Sequence, residues 1–530
     1  MGKRIVIVGG GAAGWLTAAY LTGPLAVGKP GGVEITLVEA PDIPILGVGE
    51  GTFPSILKTL KRIGLDEGDF IKGSGATFKQ GIRFDHWLHA PGEKGRDHYF
   101  HPFQSAQSPD EMALLPYWLL GHAGKDIGWD EAVTVQKAVA DQSRGPKTAD
   151  GPQYDGPLRY AYHFDAMSFA AVLRDKAKAL GVRHLVDRVE DVVLAEDGSI
   201  ASLTTRENGS LSADLYIDCT GFRAQLIGQA LKAPFSSCRS SLFCDRAVAM
   251  PVPYERPDAP IASYTICAAQ EAGWIWDIGL RSRRGIGHVF SSAHTDEDRA
   301  EQVLRNHIGP AAEKGEVRTF RFEPGFRETP WVKNCVAVGL AGGFFEPLEA
   351  TGIVTVEVAA WLISYLFPWG GDTESSARQF NHFMRRRYER IVDFLKLHYC
   401  LTKRTDNDFW RDNADPASIP DSLKDLLDRW RFREPDAVDF DMNYETFADM
   451  SWQFVLYGMG FKTDISAKAA AFPHIGEAQR RFRDIGKMGA RAQWLLPSHR
   501  ELVETIHRQG FRPPAPRIGL SASLGRPAGS

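Results

Sequence analysis

The sequence predicts an α/β fold with α+β elaborations: a parallel sheet flanked by helices, an inserted antiparallel sheet, and a helical C-terminal part. Three observations predict this class. Residues 3–8 form a β-branched run that leads through a glycine-rich turn into a helix with apolar spacing, as is typical of a buried parallel strand and its crossover. Several strand-like runs lie between residues 242 and 289. From residue 354 onward the apolar spacing is mostly helical.

The opening βαβ unit carries a dinucleotide-binding motif. Gly9, Gly11 and Gly14 form GxGxxG between a strand and a helix, and a second predicted strand at residues 33–38 ends at Glu39. In this motif the first glycine permits the tight turn, the second admits a pyrophosphate at the helix N-terminus, and the third allows close helix–strand packing. The carboxylate accepts hydrogen bonds from a ribose diol. A purely structural glycine turn is the alternative, but the strand, the helix and the acid together favour a cofactor site.

Further along the chain the pattern alternates between loops, helices and strands. Residues 91–156 are rich in Gly, Pro, Asp and His and are predicted as long loops. The other predicted elements are a helix at 164–180, a hairpin at 184–194 and 200–205, strands at 213–217 and 335–338, and a long helix at 380–402. The predicted domains are an FAD-type module at 1–390 with interspersed substrate-side sheet and loops, a helical substrate-binding subdomain at 391–512, and a flexible tail at 513–530.

The composition is that of a globular protein. Of the 530 residues 43% are hydrophobic and 24% charged, which excludes wholesale disorder, a collagen-like repeat and a disulfide-stapled miniprotein. The net charge of −4 provides no basic field for nucleic acid or an anionic membrane. The six cysteines include no CxxC pair, which favours reduced thiols in a cytosolic protein.

The sequence also predicts where the protein is located and whether it binds a metal ion. Residues 1–8 already read as the first strand, so no signal peptide is expected, and the apolar run at 354–367 is too short to span a bilayer. His98 and His101 are three residues apart, but without a matching cysteine or carboxylate set we predict no metal site. We therefore expect a soluble, cytoplasmic protein.

Two downstream loops favour FAD over NAD as the dinucleotide. Residues 218–222, which begin with Asp218 and include Gly221, follow a predicted strand and are of the type that closes over a bound dinucleotide. Residues 339–343 precede an apolar helix whose N-terminus is able to point at a flavin ring. The chain has no second strand–GxGxxG–helix unit, so reducing equivalents are expected from another protein. Together these features predict a Rossmann-like, glutathione-reductase-type FAD module.

Several further segments carry a family resemblance. They are GVGEGT at 47–52, Lys79, WIWDI at 274–278, and NCVAVGLAGGFFEPLEATGI at 334–353, followed by Tyr388, Arg390, Asp393, Phe394, His398, Tyr399, Arg404 and Asp406. With these segments the chain resembles the flavin-dependent halogenases of the tryptophan halogenase family, over most of its length to about residue 410. Two positions depart from the family pattern. Gly279 stands where proline usually follows WxWxI, and Ala350 stands where serine usually follows the second glutamate of the long segment.

The resemblance implies that Lys79 is the catalytic lysine and Glu349 the catalytic glutamate. Taken alone, a lysine is most often a solvated surface charge. A buried lysine is able to hold hypohalous acid by hydrogen bonding or to carry the halogen as a haloamine, and burial lowers its pKa. A nearby carboxylate would polarise the hypohalous acid or take the proton released by the ring. Glu346 is the competing carboxylate, with a helix-start role as its alternative. Thr351 and Gly352 would supply backbone amides for the halide.

The remaining contacts are also implied by the resemblance. The residues expected to bind the cofactor are Gly9, Gly11, Ala12, Ala13, Gly14, Glu39, Gly49, Val189, Asp218, Gly221, Leu340 and Ile353. The residues expected to bind the substrate are His101, Pro102, Phe103, Glu346 and Phe454, although a core or loop role for the histidine and the aromatic residues is equally open. Tryptophan-specific members clamp the amino-acid group with a Tyr/Glu segment, and residues 443–454 do not reproduce that pattern. We therefore hypothesise an electron-rich aromatic without a clamped zwitterion.

The implied reaction is FADH2-dependent halogenation of an aromatic such as indole or tryptophan. Reduced FAD, supplied by a separate NAD(P)H-dependent flavin reductase, would use O2 to oxidise chloride or bromide, and the hypohalous acid would be handed to Lys79. Keeping the flavin apart from the substrate prevents direct hydroxylation, and water exclusion protects the reactive species. An FAD-dependent aromatic hydroxylase and a non-catalytic FAD-binding protein are the alternatives. A homodimer is left open.

Overall fold

The computed structural model describes residues 2–43, 49–105, 112–313 and 315–511. The predicted tail at 513–530 and positions 47 and 48 of the GVGEGT segment therefore lie outside the described residues. The strands are β1 (Arg4–Val8), β2 (Glu34–Glu39), β3 (Glu50–Gly51), β4 (Thr77–Lys79), β5 (Gly81–Asp85), β6 (His98–Pro102), β7 (Ala161–Phe164), β8 (Arg183–Val186), β9 (Val189–Leu194), β10 (Ile200–Thr205), β11 (Gly209–Leu211), β12 (Leu215–Asp218), β13 (Phe235–Ser237), β14 (Arg246–Pro253), β15 (Thr265–Ala269), β16 (Gly273–Gly279), β17 (Arg283–Phe290), β18 (Arg318–Arg321), β19 (Gly325–Arg327), β20 (Trp331–Val332), β21 (Cys335–Ala337) and β22 (Gly343–Phe344).

The helices are α1 (Ala12–Thr22), α2 (Ser55–Arg62), α3 (Glu67–Ser74), α4 (Leu115–Leu119), α5 (Trp129–Val133), α6 (Gln136–Asp141), α7 (Ala166–Ala179), α8 (Glu297–Ile308), α9 (Thr351–Tyr365), α10 (Glu374–Cys400), α11 (Asp408–Ala414), α12 (Asp421–Trp430), α13 (Asp449–Gly458), α14 (Ile475–Leu495) and α15 (His499–Gln509).

A six-stranded sheet, ordered β20-β21-β12-β1-β2-β8, forms the core of the predicted dinucleotide module. Its strands are parallel except for the edge pair β20–β21. Strand β1 is buried on both faces: Ile5 and Ile7 pack into the main core, whereas Val6 and Val8 pack into a second cluster on the other face. This explains why the first strand reads as a continuous apolar run. The α/β prediction is confirmed.

The second large sheet has seven strands, ordered β18-β14-β17-β16-β15-β5-β6, and is antiparallel apart from the parallel β15–β5 pair. It contains the strands expected between residues 242 and 289 and adds β5 and β6 from earlier in the chain. Residues paired across a sheet point to one face. His101 of β6 therefore shares a face with its partner Ile82 of β5 and with Thr265 of β15. A smaller sheet, β3-β7-β4, carries Lys79 at the end of β4.

Two predicted segments have a different structure. Residues 91–156, expected as loops, contain β6 and the three short helices α4 to α6. The strand expected at 184–194 is broken: β8 joins the parallel sheet beside β2, and the hairpin begins only at β9. The break follows from Asp187, whose buried carboxylate accepts hydrogen bonds from the backbone N–H groups of Arg188, Glu207 and Asn208. A side chain that satisfies nearby backbone donors in this way competes with the sheet ladder.

The C-terminal part is helical from α9 onward. Helix α10 runs through the predicted domain boundary at 390/391 without interruption, so the chain itself shows no break at that position. The last helix, α15, returns to pack against α3 and β4. The window Leu348–Tyr365 is long and apolar enough to cross a membrane, with a mean hydropathy of 1.3, but 67% of it is buried, as in the core helix of a soluble protein.

Candidate active site

Lys79 is held in a fully enclosed position by the small sheet and by α15. Strand β4 pairs with β7 on one side. On the other side its Phe78 N–H donates to Nε2 of His499 at 2.9 Å. The Lys79 side chain is 0% exposed, and its Nζ has no hydrogen-bond partner among the described residues. Nζ lies 5.3 Å from the centroid of the Phe103 ring. Burial lowers the pKa of Lys79 to about 8, although the charge of Glu349 opposes this change.

Glu349 lies in a strained turn immediately before α9. Both Glu349 (φ 60°) and Ala350 (φ 55°) have left-handed backbone conformations, which non-glycine residues rarely adopt. This turn leads into α9 with no side chain capping its first amides. Two consecutive non-glycine residues in this conformation are a feature that the surrounding fold must impose, and such strain is concentrated at functional sites.

Two histidines bind the Glu349 carboxylate. Its Oε1 accepts from His101 Nδ1 at 2.8 Å and from His398 Nε2 at 3.1 Å, whereas its Oε2 is buried and has no partner among the described residues. Burial alone would raise the pKa of this carboxyl group. The charge and hydrogen bond of His101, followed by those of His398, outweigh burial and lower the pKa to about 2. Glu349 is therefore an ionised base with one free oxygen.

The turn at Glu349 and the Lys79 amine meet at Gly51. A Cβ atom at position 51 would lie 3.1 Å from Lys79 Nζ and 3.6 Å from the Cβ of Ala350. His163 of β7, which pairs with Gly51, would lie 3.5 Å from the same point. A side chain at position 51 would therefore crowd the Lys79 amine, so glycine allows the lysine and the turn to lie this close together.

The start of α9 has the properties of an anion site. Thr351 and Gly352 form its first turn, no side chain caps that turn, and a Cβ at Gly352 would meet no atom within 4 Å. Exposed amides at the N-terminus of a fifteen-residue helix attract negative charge. The halide prediction at these two residues is untested, but the geometry is compatible with it.

The three glycines of the GxGxxG turn differ in the space around them. A Cβ at Gly9 would lie 2.2 Å from the Cys219 carbonyl oxygen, and one at Gly14 would lie 1.9 Å from that of Gly9. A Cβ at Gly11 would meet nothing within 4 Å. Gly9 and Gly14 therefore allow close backbone packing, while Gly11 opens the space that a pyrophosphate requires at the start of α1.

Glu39 crosses this turn. A Cβ at Gly10 would lie 2.2 Å from the Glu39 Cδ, so only glycine at that position allows the carboxylate to lie there. The other Glu39 neighbour is His184 of β8, whose Nε2 is 2.8 Å from Glu39 Oε2. Gly10 and His184 were not singled out from the sequence. In the sequence Gly10 can be recognised as the middle residue of a glycine triplet. Nothing in the sequence indicates that His184 lies near Glu39, because this contact depends on the pairing of β2 with β8.

The other predicted cofactor residues surround the same region. The Cβ of Ala13 in α1 would lie 2.8 Å from a Cβ at Gly339, so the GxGxxG helix and the loop with Leu340 meet directly. Gly49 has a φ of 100°, and a Cβ at Gly221 would meet nothing within 4 Å. Ala12 is partly buried beside the main core, and Ile353 lies buried in α9. These residues fit a dinucleotide that extends from α1 to the start of α9.

Asp218 and Val189 make internal contacts. The Asp218 carboxylate accepts from the Thr220 N–H and hydroxyl and from the N–H groups of Leu226 and Ile227, so it caps the π-helix Gln225–Ala230. The Val189 carbonyl accepts from the Gln225 side-chain amide at 3.0 Å. Their predicted cofactor roles stay predictions, and the Asp218 side chain acts here by shaping the loop.

The predicted substrate residues form an aromatic wall near Lys79. Phe103 lies 6.0 Å from Phe53, and Phe454 lies 6.3 Å from the His101 ring, measured between centroids. Pro102 pairs with Gly81 at the end of β6. His101 also binds Glu349 through its Nδ1, and its role at the substrate stays a prediction.

Glu346 is occupied by other contacts. Both of its oxygens lie 2.9 Å from the Tyr399 hydroxyl, and its Oε2 also accepts from Trp274 Nε1 at 3.1 Å. Burial raises the pKa of Glu346 to about 7, against the effect of these donors. The carboxyl group joins the WIWDI strand to α10, and its substrate-binding role stays a prediction.

Gly279 and Ala350, the two residues that depart from the family pattern, both lie near the Lys79 site. A Cβ at Gly279 would lie 2.9 Å from Ile261 and 3.1 Å from the Tyr254 hydroxyl, so these side chains occupy the space that a proline ring would need. The Gly279 carbonyl accepts from Thr77, two residues before Lys79. Ala350 has no hydroxyl group, so its side chain forms no hydrogen-bonded link between the lysine side and the start of α9.

The segment at 443–454, which does not reproduce the zwitterion-clamp pattern, makes contacts with α10. Glu445 accepts from Arg390 Nε at 2.6 Å, and the Tyr444 ring packs 5.0 Å from Phe383.

Among the described residues no cluster of three or more His, Cys, Asp or Glu could hold a metal ion. All six cysteines are unpaired.

Comparison with known proteins agrees with this geometry. The family model described as tryptophan halogenase matches residues 4–473. The tryptophan 6-halogenase SttH of Streptomyces toxytricini is 35% identical over 522 residues, covering 94% of this chain and 97% of that protein. The solved tryptophan halogenase of Shewanella frigidimarina superposes with a TM-score of 0.91 at 39% identity, covering 97% and 99% of the two chains. BrvH, a flavin-dependent halogenase from Brevundimonas sp. BAL3, gives a TM-score of 0.83 at 33% identity, covering 95% and 99%. The chain belongs to the tryptophan halogenase family.

Proposed function

We propose that this protein halogenates an electron-rich aromatic ring, of the indole or tryptophan type, through Lys79 and Glu349. One observation carries the proposal: the Lys79 amine is fully buried, near Glu349, and within the described part of the chain neither the amine nor the Glu349 Oε2 has a hydrogen-bond partner. Buried, unsatisfied polar atoms are costly, and a pair of them at a strained turn indicates a site built to receive a reactant.

FAD is the cofactor that the open positions of the first module fit. Gly11 and the start of α1 would accept the pyrophosphate, Glu39 the ribose, and the loop from Gly339 to Ile353 the flavin end. Reduced flavin, with O2 and a halide, supplies hypohalous acid in this family of enzymes. Thr351 and Gly352 would hold the halide through their amides.

Lys79 would hold the hypohalous acid in place for the ring. With a pKa of about 8, both the ammonium and the amine are accessible near neutral pH, so the residue is able either to donate a hydrogen bond or to carry the halogen. As the ring carbon forms its bond to the halogen, the halogen–oxygen bond would break, and the hydroxide would leave as water with a proton from the Lys79 ammonium. Glu349 would then accept the ring proton at Oε2. The enclosed aromatic wall keeps water from competing for the halogen.

The proposed substrate is an aromatic compound that the enzyme recognises by its ring and not by an amino-acid group. The Tyr444 ring packs on Phe383 and Glu445 accepts from Arg390, so both side chains make contacts with α10. SttH is named a tryptophan 6-halogenase, whereas the BrvH structure is named a flavin-dependent halogenase without a substrate. We infer that indole and tryptophan react through the same ring contacts.

The remaining proposals concern partners and location. A separate NAD(P)H-dependent reductase would provide reduced flavin by diffusion or transient contact, and the protein would act in the cytoplasm. The helical part from α10 onward would close the substrate side, because α13 carries Phe454 and packs against β6.

Mass spectrometry tests the proposal directly. The reaction contains the protein, FAD, a generic flavin reductase, NADH, either indole or tryptophan, and either chloride or bromide. A halogen isotope pattern is expected, and it should disappear with Lys79→Met but persist with Lys396→Met, which changes another buried lysine. A hydroxylated product formed equally in both salts would instead identify an aromatic hydroxylase. No halogenated product from any electron-rich aromatic would overturn the proposal.

A further inference from the structure

The hydrogen bonds around Glu349 are asymmetric. Both histidines approach Oε1, at 2.8 Å from His101 and 3.1 Å from His398, and neither approaches Oε2. The carboxylate is 1% exposed, His101 is 1% exposed and His398 is 0% exposed. One oxygen is therefore used for positioning, and the other is left for chemistry.

The contacts of His398 define its protonation. Its Nδ1 lies 2.9 Å from the Phe394 carbonyl oxygen, one helical turn earlier in α10. A carbonyl oxygen only accepts, so Nδ1 must carry a proton. A neutral imidazole with its proton on Nδ1 has a bare Nε2, which would face the bare Oε1 of an ionised carboxylate. The His398–Glu349 pair must therefore hold one proton more than a neutral histidine and a carboxylate would.

The position of that extra proton follows from His101, the other histidine that contacts Glu349. Oε1 also faces His101 Nδ1, so two nitrogen atoms converge on a single oxygen, as expected for an ionised acceptor with several lone-pair sites. We propose that His398 is an imidazolium that holds Glu349 ionised and oriented, with Oε2 directed to the reacting atoms. This proposal rests on the halogenase function proposed above, and it makes His398 a positioning residue.

The charges around the pair support this assignment. His398 is enclosed by the rings of Phe84 at 4.9 Å, Phe394 at 5.2 Å and Trp87 at 6.1 Å, so Glu349 is its only charged neighbour among the contacts that the structure describes. The groups near Glu349 from other strands are Lys79 of β4, Tyr99 of β6 and Cys267 of β15.

Tyr99 and Cys267 are neutral, since burial raises the pKa of each well above its ordinary value. The His398–Glu349 pair is therefore neutral overall, and Lys79 adds a positive charge at the site when it is protonated. The bond changes are simple: the ring carbon loses its proton to Oε2 after the halogen has added, while Oε1 keeps its two hydrogen bonds. The imidazolium keeps both of its protons in this step: its Nδ1–H donates to the Phe394 carbonyl and its Nε2–H donates to Oε1.

The first test is ¹⁵N-histidine NMR of the full-length protein with FAD bound, using His398→Gln to assign the signal. Two protonated ring nitrogens are expected for His398 at pH 7. His288 is a matched internal reference, because its Nδ1 also faces a carbonyl at 3.0 Å but its Nε2 has no hydrogen-bond partner in the described part of the chain; it should show one protonated nitrogen. A His398 ring with a single proton would overturn the proposal, whether or not the protein halogenates.

The second test is the pH profile of halogenation. Glutamine places an N–H donor near the position of Nε2 without a charge, whereas phenylalanine removes the donor as well. His398→Phe should lower kcat by about 100-fold, the usual scale of general-base catalysis, with little change in KM. His398→Gln should recover part of kcat. Its acid limb should lie at higher pH than that of the unaltered enzyme, because Glu349 has lost a positive neighbour and must be ionised to act.

An unchanged acid limb in His398→Gln would contradict the charge assignment. Equal losses in His398→Gln and His398→Phe, with altered KM, would indicate a packing role only. Failure of the unaltered enzyme to halogenate would count against the proposed function alone, since the NMR measurement does not depend on turnover.

Discussion

Lys79 should lower the free energy of unfolding of the protein. Its pKa is lowered from 10.5 to about 8 because its ammonium group is buried, with no hydrogen bond from the described residues. At about 1.4 kcal/mol for each pH unit, this change corresponds to about 3 kcal/mol of unfolding free energy lost when the amine is protonated. Lys79→Met, which keeps the length and most of the volume of the side chain, should therefore raise the unfolding free energy at pH 7 by up to about 3 kcal/mol while halogenation is lost.

The sign of the pH dependence follows from linkage. Between pH 8 and 10.5 the unfolded chain binds more protons at this residue than the folded chain, so the stability of the unaltered protein rises with pH relative to that of the variant. The advantage of Lys79→Met should be complete below pH 8 and vanish near pH 10.5. Urea unfolding of both proteins at pH 7 and pH 10, followed by tryptophan fluorescence, measures this difference.

Lys396→Met is the matched control. Lys396 is also buried with a pKa lowered to about 8 by burial, but its Nζ donates to Asn413 at 2.9 Å and lies 4.8 Å from the Phe243 centroid. Removing it leaves Asn413 without that donor, so a smaller gain or a loss is expected. A Lys79→Met protein that is no more stable than the unaltered one at pH 7, or whose advantage does not shrink by pH 10, would refute the reasoning.

Three further predictions concern the cofactor turn and the two glutamates. Gly11→Ala should fold with an unchanged Tm but bind FAD at least tenfold more weakly in a flavin-fluorescence titration, because its Cβ enters space that is open only without cofactor; unchanged affinity would place the pyrophosphate elsewhere. Gly10→Ala should weaken FAD binding and also lower Tm, because its Cβ collides with Glu39; an unaffected Tm would argue against this close approach. Glu346→Gln should leave the KM for indole unchanged and stabilise the protein at pH 8 much more than at pH 5, because the destabilisation by this carboxyl builds up between its ordinary pKa of 4.5 and its folded-state pKa of about 7 and is complete above 7; a KM increase of tenfold would support its predicted role at the substrate.

Local sequence features predicted the parts of this protein that depend on neighbouring residues in the chain. The β-branched run and the GxGxxG turn specify a buried strand, a tight turn and a helix start within a few residues, so the first βαβ unit was predicted nearly to its ends. The long helix predicted at 380–402 is present as α10, although it begins six residues earlier. Residues 91–156 were missed as structure because α4 to α6 have only five or six residues each, too few to show a helical period.

The proposed catalytic centre depends instead on contacts between distant parts of the chain. The sequence, through its resemblance to a family, predicted Lys79 and Glu349 as a pair. It contained no sign that Glu349 would take a left-handed turn, that His101 and His398 would bind the same oxygen across 248 and 49 residues, or that His499 from the last helix would support the lysine strand. Nor could it show that Glu346 would be used by Tyr399 and Trp274. Burial and hydrogen bonding set which carboxylate is ionised, and both are properties of the packed chain, so only the tertiary structure could decide them.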